Sequence, residues 1–292
     1  MESKIALRAL TCAYLERGPA DGDVIFLVHG FPDDARTWDA VTPGLTADGF
    51  RTIAPFVRGF GPTRLHADAE RTGEIAAVAR DVLDLADALG IARFHIVGHD
   101  WGARAAYTVA ALAPERVRTL TALAVAYGTN VGSQTIDAEQ LRAYWYQWYF
   151  ATPRGERALR EDRSAFCRDL WRFWSPTWAF DEAEYARTAG SFENPDFVEI
   201  VLHSYRQRWG FAPGAAAYAA DRAVLEAVPQ LRVPASVLMG ADDGATLPAS
   251  AAGRESLFAA GYQVRILPGC GHFIPRERPH DVLTAVQAAA LA

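Results

Sequence analysis

The sequence predicts an α/β fold, a mostly parallel, doubly wound sheet interrupted by an inserted helical cap. Three observations predict it. Short apolar runs such as Val24-Ile25-Phe26-Leu27-Val28 alternate with helical patterns, as expected of strands covered on both faces. The alternation stops over residues 128–228, where glycines thin out and Trp and Tyr crowd together, and then resumes. Finally, Asp100, Asp243 and His272 each follow closely on the carboxyl end of a predicted strand, the edge at which open α/β sheets bind ligands. The expected core is 1–127 with 229–292, and the expected cap is 128–228.

The elements justify themselves in order. Residues Ile5 to about Glu16 alternate loosely and read as a strand or two, ending in a turn at Gly18-Pro19-Ala20-Asp21-Gly22. The run Val24–Val28 leads into His29-Gly30-Phe31-Pro32, with a helix starting near Asp34. Arg51-Thr52-Ile53-Ala54-Pro55 is a further strand, followed by the loop Arg58-Gly59-Phe60-Gly61-Pro62-Thr63. From Gly73 to Leu89 the residues Ile75, Val78, Ala79, Val82, Leu85, Ala86 and Leu89 recur at three and four, the mark of an amphipathic helix. Phe94–Val97 is a buried strand with an Ala-rich helix just beyond it, and Val117–Val125 is the next strand. The cap carries Tyr144-Trp145-Tyr146-Gln147-Trp148-Tyr149-Phe150 and later Trp171, Trp174 and Trp178. After it come a strand over Pro234–Gly240, a helix near Ala249 to Ala260, a strand over Gln263–Leu267 and a terminal helix from about Pro279.

Bulk properties exclude several classes of function. The chain has 292 residues, half of them apolar, so it can bury a large core and does not read as disordered. A formal charge of -6 argues against nucleic acid or an anionic membrane as the main partner. Cys12, Cys167 and Cys270 match no metal or redox spacing, which fits a reducing compartment. The start Met1-Glu2-Ser3-Lys4-Ile5 lacks the apolar run of a signal peptide, and no stretch approaches the roughly 18 apolar residues of a membrane span. The expectation is a soluble, cytoplasmic protein with no metal and no cofactor; its oligomeric state is left open.

The chemistry centres on Gly98-His99-Asp100-Trp101-Gly102, between a strand and a helix. Two glycines flanking a polar residue make a turn so tight that a side chain on either would collide with backbone. Such a turn lifts the central side chain above the sheet edge, and here that side chain is the carboxylate of Asp100. A serine attacking saturated carbon would form an ether, which no activated water could reopen. An aspartate forms an ester, whose carbonyl water can attack. An aspartate here therefore points to displacement at sp3 carbon, with epoxides or alkyl halides as substrates.

The motifs His29-Gly30-Phe31-Pro32, Gly98-His99-Asp100-Trp101-Gly102, Gly240-Ala241-Asp242-Asp243 with Pro248 after it, and Gly271-His272-Phe273 occur in this order across nearly the whole core. In these motifs the chain resembles the α/β-hydrolase fold family and, within it, the epoxide hydrolases. The resemblance implies a catalytic set of Asp100 as nucleophile, His272 as base for the hydrolytic water and Asp243 as the acid that orients His272. Asp242 is the rival acid. It implies an oxyanion hole from the backbone N–H groups of Phe31 and Trp101, and a pocket walled by Phe31, Trp101 and Phe273 for a small, apolar epoxide. Tyr146, in Tyr146-Gln147-Trp148-Tyr149-Phe150, and Tyr205, in His203-Ser204-Tyr205-Arg206, match the two cap tyrosines that protonate the leaving alkoxide; Tyr144 and Tyr149 are the substitutes if the register differs. Haloalkane dehalogenases share the Asp-Trp pair but usually carry Asn or Glu where this chain has Phe31. Fluoroacetate dehalogenases grip a carboxylate with two arginines on the elbow helix; Arg104 matches the second and Trp101 replaces the first, so Arg104 is expected in an ion pair. A third possibility is a ligand-binding, non-catalytic member of the fold, against which Asp243 and His272 both speak.

Overall fold

The computed structural model describes residues 2–130, 132 and 134–291. Met1 and Ala292, at the outer ends of the expected core, and Val131 and Ser133, within the expected cap, lie outside the described residues. The strands are β1 (Glu2–Ala6), β2 (Leu10–Arg17), β3 (Val24–Val28), β4 (Arg51–Pro55), β5 (Arg64–Leu65), β6 (Phe94–His99), β7 (Val117–Leu123), β8 (Ala235–Gly240) and β9 (Tyr262–Leu267). They form one sheet in the order β1-β2-β4-β3-β6-β7-β8-β9, with β5 beside β2. β1 and β4 run antiparallel to β2, and every pairing from β4 through β9 is parallel.

The apolar runs explain the layers. Side chains alternate across a strand, so in β3 Val24, Phe26 and Val28 enter one core while Ile25 and Leu27 enter another on the opposite face. α2 (Ile75–Ala88) and α3 (Trp101–Leu112) supply Val78, Val82, Leu85 and Val109 to the first core. On the other face α1 (Thr42–Ala47) supplies Leu45 to the second. Between β7 and β8 the chain forms α4 (Ala138–Ala143), α5 (Trp145–Phe150), α6 (Pro153–Glu161), α7 (Arg163–Trp174), α8 (Glu182–Ala189), α9 (Phe197–Arg208) and α10 (Ala219–Glu226). After β9 come α11 (Ile274–Glu277) and α12 (Pro279–Ala290). Val282, Ala285 and Val286 of α12 join the second core. No helix among the described residues is long and apolar enough to cross a membrane.

The helices after β7 are joined to the sheet by apolar and by polar contacts. Tyr146, Phe150, Trp171, Trp174, Phe197 and Tyr205 belong to the same apolar core as Phe26 and Phe31. Arg276 of α11 donates two hydrogen bonds to Asp33 (2.5 and 2.9 Å) and one to Glu184 of α8. Burial disfavours the Asp33 carboxylate, but the Arg276 guanidinium outweighs it and holds its pKa below the ordinary range. Two expectations differ. The helix near Ala249 to Ala260 is instead a pair of 3-10 turns, Pro248–Ala251 and Glu255–Leu257. Gly253 between them has φ +70, a left-handed conformation that ends a helix. Near Asp34, a 3-10 turn over Ala35–Trp38 comes first, capped by the Asp34 carboxylate accepting from the Arg36 N–H, and α1 follows.

Candidate active site

Three strand ends build the site. At the end of β6 the chain turns at Asp100, with φ 53 and ψ -113, and enters α3 at once. The flanking glycines are required by space. A Cβ on Gly98 would lie 2.1 Å from the Gly102 carbonyl oxygen, and one on Gly102 would lie 1.9 Å from that of Val28. A strained backbone at a non-glycine residue persists only where its surroundings fix it, and here β3, β6 and α3 do so.

The loop after β3 supplies the opposing wall. The Phe31 N–H donates to Asp100 Oδ1 at 2.9 Å. A Cβ on Gly30 would lie 2.5 Å from both Asp100 Oδ1 and the Trp101 nitrogen, so the backbone N–H groups of Phe31 and Trp101 border the same small space. The loop after β8 brings Asp243, whose Oδ1 accepts from the N–H groups of Ala245 (2.7 Å) and Thr246 (2.8 Å). Its Oδ2 accepts from His272 Nδ1 at 2.8 Å. Asp243, not Asp242, is thus the carboxylate bonded to His272. The other ring nitrogen, Nε2, lies 3.8 Å from Asp100 Oδ2 and has no hydrogen-bond partner among the described residues. Burial alone would lower the His272 pKa, but Asp243, and secondarily Asp100, outweigh it and raise it above the usual histidine value.

Residues without a sequence signal hold His272 in place. Ser175 Oγ, just past α7, accepts from the His272 N–H (2.9 Å) and the Phe273 N–H (3.2 Å) and donates to Glu277 (2.6 Å). His99 Nε2 donates to the His272 carbonyl at 2.8 Å, which fixes its tautomer. Burial, and then the nearness of His272, push the His99 pKa down to about 4, so it stays neutral.

Above Asp100 lies a layer of aromatic rings. The Tyr205 hydroxyl accepts from Trp101 Nε1 at 3.2 Å. Tyr146 packs edge-on against Tyr205, ring centroids 5.3 Å apart, and its hydroxyl accepts from Gln147 at 2.8 Å. Burial, with the Asp100 charge adding to it at both, pushes both phenol pKa values up, so both keep their protons. Of the two substitutes, Tyr144 accepts from Asn130 Nδ2, while Tyr149 packs against Trp145 and Phe166. Phe31 stacks on Trp101 at 5.7 Å and meets Trp174, Phe150 and Tyr205. Phe273 packs instead against Trp171, Trp174 and Trp178. A cavity of about 740 Å3 opens alongside, and Phe31, Trp101 and Phe273 are not among its walls, which departs from the expected pocket. Arg104 also departs from expectation: it pairs with no carboxylate among the described residues and donates to the Thr129 carbonyl at 3.3 Å. Among the described residues no three His, Cys, Asp or Glu side chains cluster so as to hold a metal.

Comparison with known proteins agrees with this architecture. The family model described as the alpha/beta hydrolase fold matches residues 23–279. Fluoroacetate dehalogenase of a Burkholderia species is 29% identical over 282 residues, covering 93% of this chain and 87% of that protein. An epoxide hydrolase of Caballeronia sordidicola is 33% identical over 136 residues, 47% of this chain and 40% of that protein. Among solved structures, a candidate epoxide hydrolase from Klebsiella pneumoniae superposes with a TM-score of 0.95 at 38% identity, over 100% of this chain and 97% of that one. The turn at Asp100, the strand order and the family match over most of the sequence lead to one conclusion: this chain belongs to the alpha/beta hydrolase fold family.

Proposed function

We propose that this hydrolase converts an epoxide and water to a vicinal diol through a covalent ester on Asp100. The observation that carries the reading is a carboxylate at the elbow facing a histidine whose unpartnered Nε2 lies 3.8 Å away. Asp100 Oδ2 attacks one epoxide carbon and the carbon–oxygen bond of the ring breaks. The alkoxide takes a proton from Tyr146 or Tyr205, which burial keeps protonated. His272 Nε2 then removes a proton from water, which attacks the ester carbonyl carbon. The oxyanion accepts from the Phe31 and Trp101 N–H groups, where each donor contributes about a hundred- to a thousand-fold in rate. Collapse releases the diol and regenerates the carboxylate. The proton on His272 replaces the one the tyrosine gave up. Asp243 keeps the imidazole in the required tautomer and stabilises its cation. The helices between β7 and β8 act as a cap that brings the phenols over Asp100 and excludes bulk water.

Dehalogenation is the second reading, favoured by one observation besides the dehalogenase relative. Trp174 Nε1 is buried without an acceptor among the described residues, beside Tyr146 and His272 with ring centroids at 4.8 and 5.0 Å, where it could donate to a halide. Against it, Trp101 Nε1 is already bonded to Tyr205. Incubation with styrene oxide and with 1-bromobutane, measuring diol and released bromide side by side, separates the two. Diol formation with negligible bromide is expected; bromide release faster than diol formation would assign the chain to dehalogenation.

A further inference from the structure

The loops that carry Asp243 and His272 are held from the cap as well as from the sheet. Gln140, buried in α4, is fixed at its own backbone by the Asp137 carboxylate, which accepts its N–H at 2.8 Å. Its side-chain amide meets the loop after β8 twice. Nε2 donates to the Ala245 carbonyl at 2.8 Å, and Oε1 accepts from the Leu247 N–H at 3.0 Å. The Ala245 carbonyl belongs to the same peptide unit as the Thr246 N–H, which donates to Asp243 Oδ1 at 2.8 Å. An unbroken line of hydrogen bonds therefore runs from the Gln140 amide through that peptide to Asp243, and on to His272 Nδ1. A donor on the carbonyl of a peptide polarises its N–H, so each bond in such a line strengthens the next. The end of α7 joins the two loops directly, because the Trp174 carbonyl accepts from the Gly244 N–H and from the His272 N–H, both at 3.0 Å. The approach leaves no room for side chains. A Cβ on Gly244 would lie 2.1 Å from the Phe173 carbonyl oxygen, and one on Gly271 would lie 2.4 Å from Ser175 Cα.

Asp100 is held differently. Its N–H donates to the Leu123 carbonyl of β7, its carbonyl accepts from the Arg104 N–H of α3, and its Oδ1 accepts from the Phe31 N–H. All three partners belong to the core. We infer that Gln140 is a positioning residue for the acid–base pair, through which the cap controls hydrolysis of the ester and not its formation. Formation uses the Asp100 carboxylate and the phenols of α5 and α9, while both bonds of the Gln140 amide go to the acid loop. Hydrolysis uses His272 Nε2, whose aim is set through Asp243. Without the amide, the segment Ala245–Leu247 loses two bonds to the cap, and Asp243 loses the alignment of one of its two N–H donors. Misplacing a reacting group by about 1 Å costs about a hundredfold in rate, and the bonds to Asp100 are untouched.

The expected rates rest on the covalent ester, and the test has one arm that does not. In the first arm, rapid-quench intact-protein mass spectrometry with styrene oxide follows formation and decay of the Asp100 adduct in the wild type, Gln140→Met and Thr152→Ala. Methionine matches glutamine in length and makes neither amide bond. Thr152 caps α6, its hydroxyl accepting from the Gly155 N–H at 3.1 Å and donating to the Tyr149 carbonyl at 2.7 Å, so its variant loosens a cap helix without breaking a bond to either loop. Gln140→Met should form the adduct at close to the wild-type rate and hydrolyse it about ten- to a hundredfold more slowly. Thr152→Ala should keep the wild-type ratio of the two rates. Both rates are read on molecules that react, so a loss of folded protein cancels. Equal slowing of both steps, unchanged hydrolysis, or the same altered ratio in Thr152→Ala overturns the inference. If neither the wild type nor His272→Gln forms an adduct, the ester reading fails by itself and the second arm decides. Proton NMR then follows the His272 Nδ1–H that bonds Asp243, assigned by its absence in His272→Gln. In Gln140→Met this proton should move upfield and exchange faster with water; an unchanged shift and exchange rate refutes the positioning role.

Discussion

Replacing His272 by Gln should stop the reaction halfway and leave the substrate attached to Asp100. Alkylation of a carboxylate needs no base, so the first step should persist, whereas hydrolysis of the ester loses the group that deprotonates water. A general base contributes about 10²–10⁴-fold, or roughly 2.7–5.5 kcal/mol of barrier, and the ester should outlive a typical turnover by that factor. The variant should still fold. Asp243 keeps its two N–H donors, Ala245 and Thr246, and the His272 backbone keeps its bonds to Ser175 and His99. Losing the one side-chain bond to Asp243 costs about 1–3 kcal/mol, small against the usual 5–15 kcal/mol of a folded domain. The assay is intact-protein mass spectrometry after incubation with styrene oxide, expecting a gain of one substrate mass, localised to the peptide containing Asp100. As a companion, a single turnover of the wild type in ¹⁸O-water should give mostly unlabelled diol, with the label in Asp100. Labelled diol in the first turnover, with no adduct on the variant, would show that water attacks the epoxide directly. Asp100 would then act as a base, and the argument from its carboxylate would fail.

The other predictions test the remaining parts. Tyr146→Phe and Tyr205→Phe should each slow epoxide opening, by up to about 10²–10⁴-fold, and the double variant should be nearly inactive in single-turnover assays; wild-type rates in both single variants would make the phenols packing residues. Tyr205→Phe also leaves the buried Trp101 N–H without its acceptor and should lower stability by about 1–3 kcal/mol in denaturant unfolding. Because His272 must be neutral to act and its pKa is raised, turnover should fall with decreasing pH through a midpoint above the ordinary histidine value. Asp243→Asn removes the largest raising influence and leaves burial opposed only by the smaller ones of Asp100 and Glu277, so the midpoint should move to lower pH while the plateau drops by about 10⁴-fold; an unmoved midpoint would assign the titration to another group. Gly102→Ala, whose Cβ would lie 1.9 Å from the Val28 carbonyl oxygen, should cost about 3 kcal/mol or prevent folding. Gly190→Ala, with none of the described residues within 4 Å of its added Cβ, should change stability by no more than about 1 kcal/mol.

Local pattern determined much of this protein. The strand pairing partners and the two-residue β5 could not be read from the chain, but the buried central strands could, because short apolar runs have no other stable use in a large core. The elbow was legible because its requirement is local: two glycines and a polar residue within five positions, between a strand and a helix. The order of Asp100, Asp243 and His272 and their places after strands were equally readable, since each follows its own strand end. The 3-10 turns at Pro248–Ala251 and Glu255–Leu257 were not, since the helical pattern there said nothing of the left-handed turn at Gly253.

Tertiary structure decided what depends on distant partners. Asp242 and Asp243 are neighbours of one type; only the fold gives Asp243 the N–H groups of Ala245 and Thr246 and the His272 ring. Tyr146 faces Tyr205 because α5 packs on α9, and in isolation its segment offers Tyr144 and Tyr149 equally well. Arg104 looked like an ordinary helix residue in need of a carboxylate. Its surroundings, drawn from β7's following loop and from α9, supply a carbonyl and a second arginine instead. Secondary structure follows from side-chain periodicity between near neighbours, whereas the partner of a buried charge or phenol is set by whichever distant segments the core brings together.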